Sequence, residues 1–367
     1  MDEYLEKADN VENATRRRLL AVAVVVLLVA ASMGFFTIYA IYILDRSHLE
    51  KPDLSTIHSL HEMAGIDRLH GMGITGKGVV IGLVDTGMDV SHPSLEHVTI
   101  VAWKDLIQNR EHPYDDGSHG TQMAGVIFSK GELTGAAPDA DLILVKAVRE
   151  DGTSDDSIIA RAIRFCLNPD DDWSTDDGAD IISLSLGSKA RKGVIGTQSE
   201  AAVREAIDRG VIVVAAAGND GQNDDGQVDS PSTVEWAISV GAVDANGVIA
   251  PFSSIGNNGE DSNNPFSKRY DPNKKPETVM PGVRVPTTYP GGKYVYSYGT
   301  SPATAMAAGL LALVIQNSTL EDSEGVSLLK ECIMETSSPL ELQNVPHDRY
   351  YGYGILQGVE LRTLWHE

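Results

Sequence analysis

The chain has 367 residues, a formal net charge of −23 and 42 % hydrophobic residues. That length excludes one small domain and suits a single large α/β domain with an appendage, with a hydrophobic share ordinary for a packed core. The acidic balance excludes nucleic acid as a partner, since phosphate binding needs clustered Lys and Arg, and it reads as a solvated acidic surface.

Residues 1–18 are polar and end in Arg16-Arg17-Arg18, the pattern of a short tail. From Leu19 to Leu44 no charge occurs. Such a run exceeds the roughly 20 residues that cross a bilayer. It also exceeds the apolar stretch of about 7–15 residues in a cleaved signal peptide. An uncleaved transmembrane helix over 19–44 is therefore expected, making the membrane a partner through one span. The arginine triplet abutting it predicts a cytoplasmic N-terminus and an extracytoplasmic remainder, because positive charge resists translocation. Residues 45–64 read as a linker and 65–367 as the globular domain.

Within that domain apolar runs alternate with helical periodicity. Strands are expected at Val79–Val84, Leu142–Ala147, Ile181–Leu186, Val211–Ala215 and Ala237–Val243, with helices at Ile158–Leu167 and Ala201–Arg209. Apolar strands alternating with helices predict a mainly parallel sheet covered on both faces, a three-layer α/β/α fold. Two surface excursions interrupt the pattern, the acidic stretch Asn168–Asp177 and the Asn- and Pro-rich stretch Gly256–Pro276. Cys166 and Cys332 make no framework and read as buried small hydrophobes.

Asp85, which ends an apolar strand and precedes Thr86-Gly87, fits two hydrolase designs. A carboxylate pair sharing a proton needs a second Asp-(Thr/Ser)-Gly and a β-rich body. The nearest candidate, Asp229-Ser230-Pro231, lacks the glycine, and the pattern here is α/β. The other design needs a histidine base, a serine at a helix start and donors for an oxyanion. His119 lies in Asp116-Gly117-Ser118-His119-Gly120-Thr121, Asn219 follows the strand end Ala216-Ala217-Gly218, and Ser301 stands in Gly299-Thr300-Ser301-Pro302 ahead of a run of small residues.

In this order, Asp, His, Asn, Ser, the chain resembles the subtilisin-like serine proteases, from about Gly73 to Leu356. Chain order sets that family apart from other serine proteases, whose triads share the geometry but not the sequence of residues. The resemblance implies a subtilisin-like fold and hydrolysis of protein or peptide substrates through an acyl-enzyme. In it Ser301 is the nucleophile, His119 the general base and Asp85 the group that orients the imidazole. Asn219 and the Ser301 N–H form the oxyanion hole. Ser185-Leu186-Gly187 pairs with the substrate backbone, and Ala216-Ala217-Gly218 walls the first specificity pocket. It implies no cofactor for the chemistry, with Ca²⁺ as a structural ion at unassigned residues. Among His58, His61, His70, His92, His97 and His347 no pair has a convincing metal-ligand spacing, so no metal site is expected.

Some positions depart from the family pattern. Pro302 directly follows the nucleophile and Ala305 replaces a proline, which a first helical turn tolerates. Gln122 stands where a second histidine is common. Between Leu44 and Gly65 there is no room for a folding prodomain. The alternative reading is an inactive relative that binds extended peptides in the same groove. An esterase is disfavoured, because Gly299-Thr300-Ser301-Pro302-Ala303 lacks the second glycine of its nucleophile elbow.

Overall fold

A computed structural model describes residues 52–188, 196–221, 227–259, 268–318, 322–343 and 345–367. The expected tail, the anchor and the first part of the linker lie outside the described residues. Among the described residues no helix is long and apolar enough to cross a membrane.

Seven strands pair in parallel: β1 (Val80–Asp85), β2 (Ile100–Asp105), β3 (Asp141–Lys146), β4 (Ile181–Leu184), β5 (Ile212–Ala216), β6 (Ile238–Val243) and β7 (Thr278–Pro281). Their order is β2-β3-β1-β4-β5-β6-β7. Alternate side chains of each strand enter different cores, as strand geometry requires. Ile81, Leu83, Leu142, Leu144, Ile212 and Val214 join one buried cluster, while Val84, Ile143, Val145, Val213 and Ala215 join the other. Burial on both faces explains why these strands read as unbroken apolar runs.

Helices α1 (Thr56–Met63), α2 (Ile66–Gly71), α3 (His119–Phe128), α6 (Thr300–Ile315) and α8 (Gly358–Trp365) contribute to the first cluster. Helices α4 (Asp156–Leu167) and α5 (Gln198–Asp208) cover the second. The result is the three-layer α/β/α architecture expected. In α6 all residues except Ser301 are buried, which fits a helix that is apolar all round and lies inside the protein. A hairpin of β8 (Val285–Tyr289) and β9 (Lys293–Ser297) and the helix α7 (Ser323–Thr336) complete the fold.

The folded unit begins earlier than the expected boundary at residue 65. Residues 56–63 are helical rather than linker, because Ile57, Leu60 and Ala64 recur at helical spacing and are buried. The two ends of the unit meet there: Gly358 N donates to Ala64 O at 2.8 Å and Gln357 Nε2 to Met63 O at 3.0 Å. The stretch Gly256–Pro276 is likewise more than a surface excursion. Asn258, Asn273 and Lys275 within it are buried. Lys275 Nζ donates to Glu277 Oε1 at 2.8 Å, and Lys330 of α7 donates to the same oxygen at 2.6 Å. The charge of Glu277 draws that loop inward. The acidic stretch after α4 is exposed from Asp170 to Thr175, as expected. Cys166 and Cys332 are both buried free thiols.

Candidate active site

In an open parallel sheet, ligands bind beyond the carboxyl ends of the strands where the winding reverses. Here that point lies between β1 and β4, neighbours whose next strands run outward in opposite directions. Asp85 is the last residue of β1, and Ser185 follows the last residue of β4. A cavity of about 390 Å³ at this place is lined by Asp85, His119, Ser185, Leu186, Gly187, Ala216, Gly218, Asn219 and Ser301. Nearly all the residues expected from the sequence thus meet in one cleft. Ala217 is the exception: it is fully buried, with its N–H donating to Val240 O and its carbonyl accepting from Asp229 N. Strand alternation turns its side chain away from the side that Ala216 and Gly218 present.

His119 opens α3, and its Nδ1 sits 2.8 Å from Asp85 Oδ1 and 2.9 Å from Oδ2. Asp85 also accepts from Thr86 N at 2.7 Å. The carboxylate is sealed, whereas the His119 side chain is 38 % exposed along the cleft. Burial is the largest influence on His119 and pushes its pKa down. The Asp85 charge and hydrogen bond, aided by Asp115, push it up, and the net result is a pKa above the ordinary imidazole value. An imidazole held at Nδ1 by a carboxylate presents Nε2 to the cleft as a proton acceptor.

The turn that delivers His119 is built by Asp115, a residue whose role the sequence reading missed. Its Oδ1 accepts from Gly117 N at 3.0 Å, Ser118 N at 2.8 Å and Thr86 Oγ1 at 2.8 Å. Its Oδ2 accepts from Thr121 N and Thr121 Oγ1. One carboxylate therefore satisfies orphan donors at the start of α3 and holds Ser118 in a left-handed conformation. Asp116 beside it pairs with the fully buried Lys146 Nζ at 2.5 Å, which also donates to Thr86 O. The signal available in the sequence was the Asp-x-x-Ser-x-x-Thr spacing, a cap pattern overlapping the histidine.

Ser301 is the second residue of α6, and its Oγ donates to Ser185 O at 3.1 Å. Pro302 falls in the first helical turn, where no backbone donor is required, and the helix continues unbroken to Ile315. Asn219 is fixed by Thr300, whose N–H donates to Asn219 Oδ1 at 2.8 Å and whose hydroxyl donates at 3.1 Å. A backbone N–H only donates, so the amide oxygen must face Thr300 and the Nδ2 donors are left for the cleft. Gly299 makes this contact possible. At φ 137° any Cβ there would stand 3.3 Å from Asn219 Nδ2 in a conformation L side chains rarely adopt.

Asp229 is the other residue missed. Its carboxylate lies between the two walls of the cleft: a Cβ at Gly218 would fall 2.5 Å from Asp229 Oδ2, and one at Gly187 would fall 2.9 Å from Asp229 Cβ. Asp220 also lines the cavity. Asp229 stands out in the sequence only as the failed partner of a carboxylate pair.

The subtilase family model matches residues 76–354. The chain belongs to the subtilase family. It is 34 % identical over 290 residues to the serine protease AprX of Bacillus subtilis (strain 168), covering 71 % of this chain and 62 % of AprX. Subtilisin DY of Bacillus licheniformis is 29 % identical over 299 residues, 79 % of this chain and 93 % of that protein. Subtilisin Savinase of Lederbergia lenta is 34 % identical over 250 residues, 67 % of this chain and 80 % of that protein. The chain spans less than two thirds of the length of AprX.

Among the described residues, one group of three or more His, Cys, Asp or Glu side chains lies close enough to share an ion: His61, Asp67 and His70. Linear spacing hid it because the ligand atoms come from two helices. Two imidazoles and one carboxylate do not suit Ca²⁺, which takes six to eight oxygens.

Proposed function

We propose that this protein is a serine endopeptidase, and that the Asp85–His119 pair opening onto the same cleft as Ser301 and Asn219 is its catalytic machinery. Rotation about χ1 carries Ser301 Oγ from Ser185 O toward the imidazole. His119 Nε2 takes the hydroxyl proton as Oγ attacks the scissile carbonyl, and Asp85 stabilises the imidazolium formed. Asn219 Nδ2 and the Ser301 N–H donate to the oxyanion. His119 then protonates the leaving amine, and water repeats the sequence to free the acyl group. The substrate lies extended along Ser185-Leu186-Gly187, adding a strand beside β4.

The side chain on the acyl side of the bond enters between Gly187 and Gly218. Asp229 stands between those walls, and Asp220 adds a second acidic group to the cleft. This lining favours a lysine or arginine there. The reading also includes anchorage by residues 19–44, with the N-terminus cytoplasmic and the peptidase outside. It rests on the uncharged run and on Arg16-Arg17-Arg18.

Fluorophosphonate labelling of the full-length chain in detergent tests the central claim. One equivalent of label is expected on the wild type and none on a folded Ser301→Ala variant. Equal labelling of both would overturn it. For topology, single cysteines at Ser55 and Ala8 in a Cys166- and Cys332-free background are probed on intact cells with an impermeant maleimide. Reaction at position 55 alone is expected, and reaction at position 8 alone would invert the orientation.

A further inference from the structure

The helical hairpin at the start of the folded unit carries an arrangement that the proposed chemistry does not use. His61 on α1 is fully buried, and neither Nδ1 nor Nε2 has a hydrogen-bond partner. Its Nδ1 lies 3.3 Å from Asp67 Oδ1, outside hydrogen-bonding geometry. A buried imidazole with neither nitrogen hydrogen-bonded is costly, and proteins keep such groups where something else satisfies them. Across from it, on α2, stand Asp67 and His70, three residues apart and so on one helix face.

The details around these groups are those of a ligand set. His70 Nε2 donates to Ala136 O at 2.9 Å, which leaves Nδ1 as the lone-pair nitrogen. Metal-bound histidines characteristically give their other N–H to a backbone carbonyl in this way. The second Asp67 oxygen is 3.0 Å from Nδ1 of the exposed His58, which orients the carboxylate from outside. One ligand atom from each of His61, Asp67 and His70 lies within 4.8 Å of the other two. Bonds of about 2.1 Å in a tetrahedral site separate ligand atoms by roughly 3.4 Å, so modest side-chain rotations close the group.

We propose that His61, Asp67 and His70 form a binding site for a divalent transition-metal ion of the zinc class, clipping α1 to α2. Two imidazole nitrogens and one carboxylate oxygen select such an ion over Ca²⁺ or Mg²⁺. Through His70 and Ala136 the clip also ties the hairpin to the segment following α3. Its role is structural, because none of its ligands lines the catalytic cleft.

Cobalt titration of the metal-stripped full-length chain in detergent tests this, in a Ser301→Ala background that prevents self-cleavage. One equivalent of Co²⁺ is expected to give the visible d–d bands of a tetrahedral site, and Zn²⁺ should abolish them while raising the thermal midpoint. Asp67→Asn and His70→Gln are chosen because both positions are part-exposed, so their metal-free folds should match the parent by circular dichroism. Each should weaken Co²⁺ binding at least about 100-fold, the upper range seen on losing an outer-sphere partner alone. Absence of the bands in the parent, or undiminished bands in both variants, would overturn the proposal.

Discussion

Asp85 and Glu277 are both buried carboxylates, each 1 % exposed, and both lie within 3 Å of a nitrogen that can carry charge. Their partners differ. Asp85 holds an imidazole whose far edge is open to the cleft, with a pKa moved upward and proton exchange available. Glu277 holds Lys275 and Lys330, both fully buried, with its other oxygen accepting from Ser239 N at 2.8 Å. Burial pushes both lysines below their ordinary pKa despite that carboxylate. The same electrostatic unit thus leaves an imidazole edge open where one partner faces a cleft, as the proposed chemistry requires, and fastens β6, β7 and α7 together where both are sealed.

Asp85→Asn should cut deepest on the catalytic side, lowering kcat by about 10⁴, the scale measured in the related subtilisin and in trypsin. Its thermal midpoint should move far less. A loss below tenfold would make Asp85 a mere cap. The pH profile sharpens the point. His119 must be neutral to accept a proton, so kcat/KM should fall as pH drops through its raised pKa, above the ordinary value of about 6.5. Asp85→Asn should move that acid limb downward; an unmoved limb would assign it to another group.

Glu277→Gln should reverse the pattern. It removes the negative charge that two buried lysines share and should cost about 3–5 kcal/mol of stability, with kcat of the folded fraction unchanged. Denaturant unfolding reads the first quantity and active-site titration corrects the second. An unaltered midpoint would mean that the lysines' carbonyl partners suffice.

Asn219→Ala should lower kcat by roughly 10²–10³ with little change in KM, a figure taken from the corresponding subtilisin substitution. Unchanged kcat would leave Asn219 as a partner of Thr300 only. Smallest is Asp229→Asn. It should reduce selectivity for Lys or Arg over an uncharged side chain by about 10–100-fold, the value of one charge-assisted hydrogen bond. Unaltered selectivity in a peptide library would remove Asp229 from the pocket.

The residues that were legible in the sequence are those whose environment is uniform or whose chemistry is rare. β1, β3, β5 and β6 are covered on both faces and so stand out as apolar runs. β2, whose Val101 is 49 % exposed, and the hairpin β8–β9 mix polar and apolar residues and escaped notice. Asp85, His119, Asn219 and Ser301 were readable because four motifs fell in order. Asp115 and Asp229 were not, since their roles arise from what the folded chain brings beside them: the Thr86 hydroxyl in one case, and Gly187 and Gly218 in the other. His61, Asp67 and His70 depend in the same way on the angle between two short helices.

The meeting of the ends has a consequence in time. Gln357 and Met63, which close the unit, are 294 residues apart in sequence. Ribosomes add about 5–20 residues per second, so α2 waits roughly 15–60 s after its own synthesis before α8 emerges to cover it. Closing a loop of that length is also entropically late, because the contact is rewarded only when most of the sheet exists. During that interval Leu69 lacks the native surface that α8 supplies. The hairpin then presents part of its apolar face to chaperones or to other apolar surfaces. A circular permutant joining residue 367 to residue 52 would present α8 and the hairpin together, and should shorten that exposure without altering the cleft.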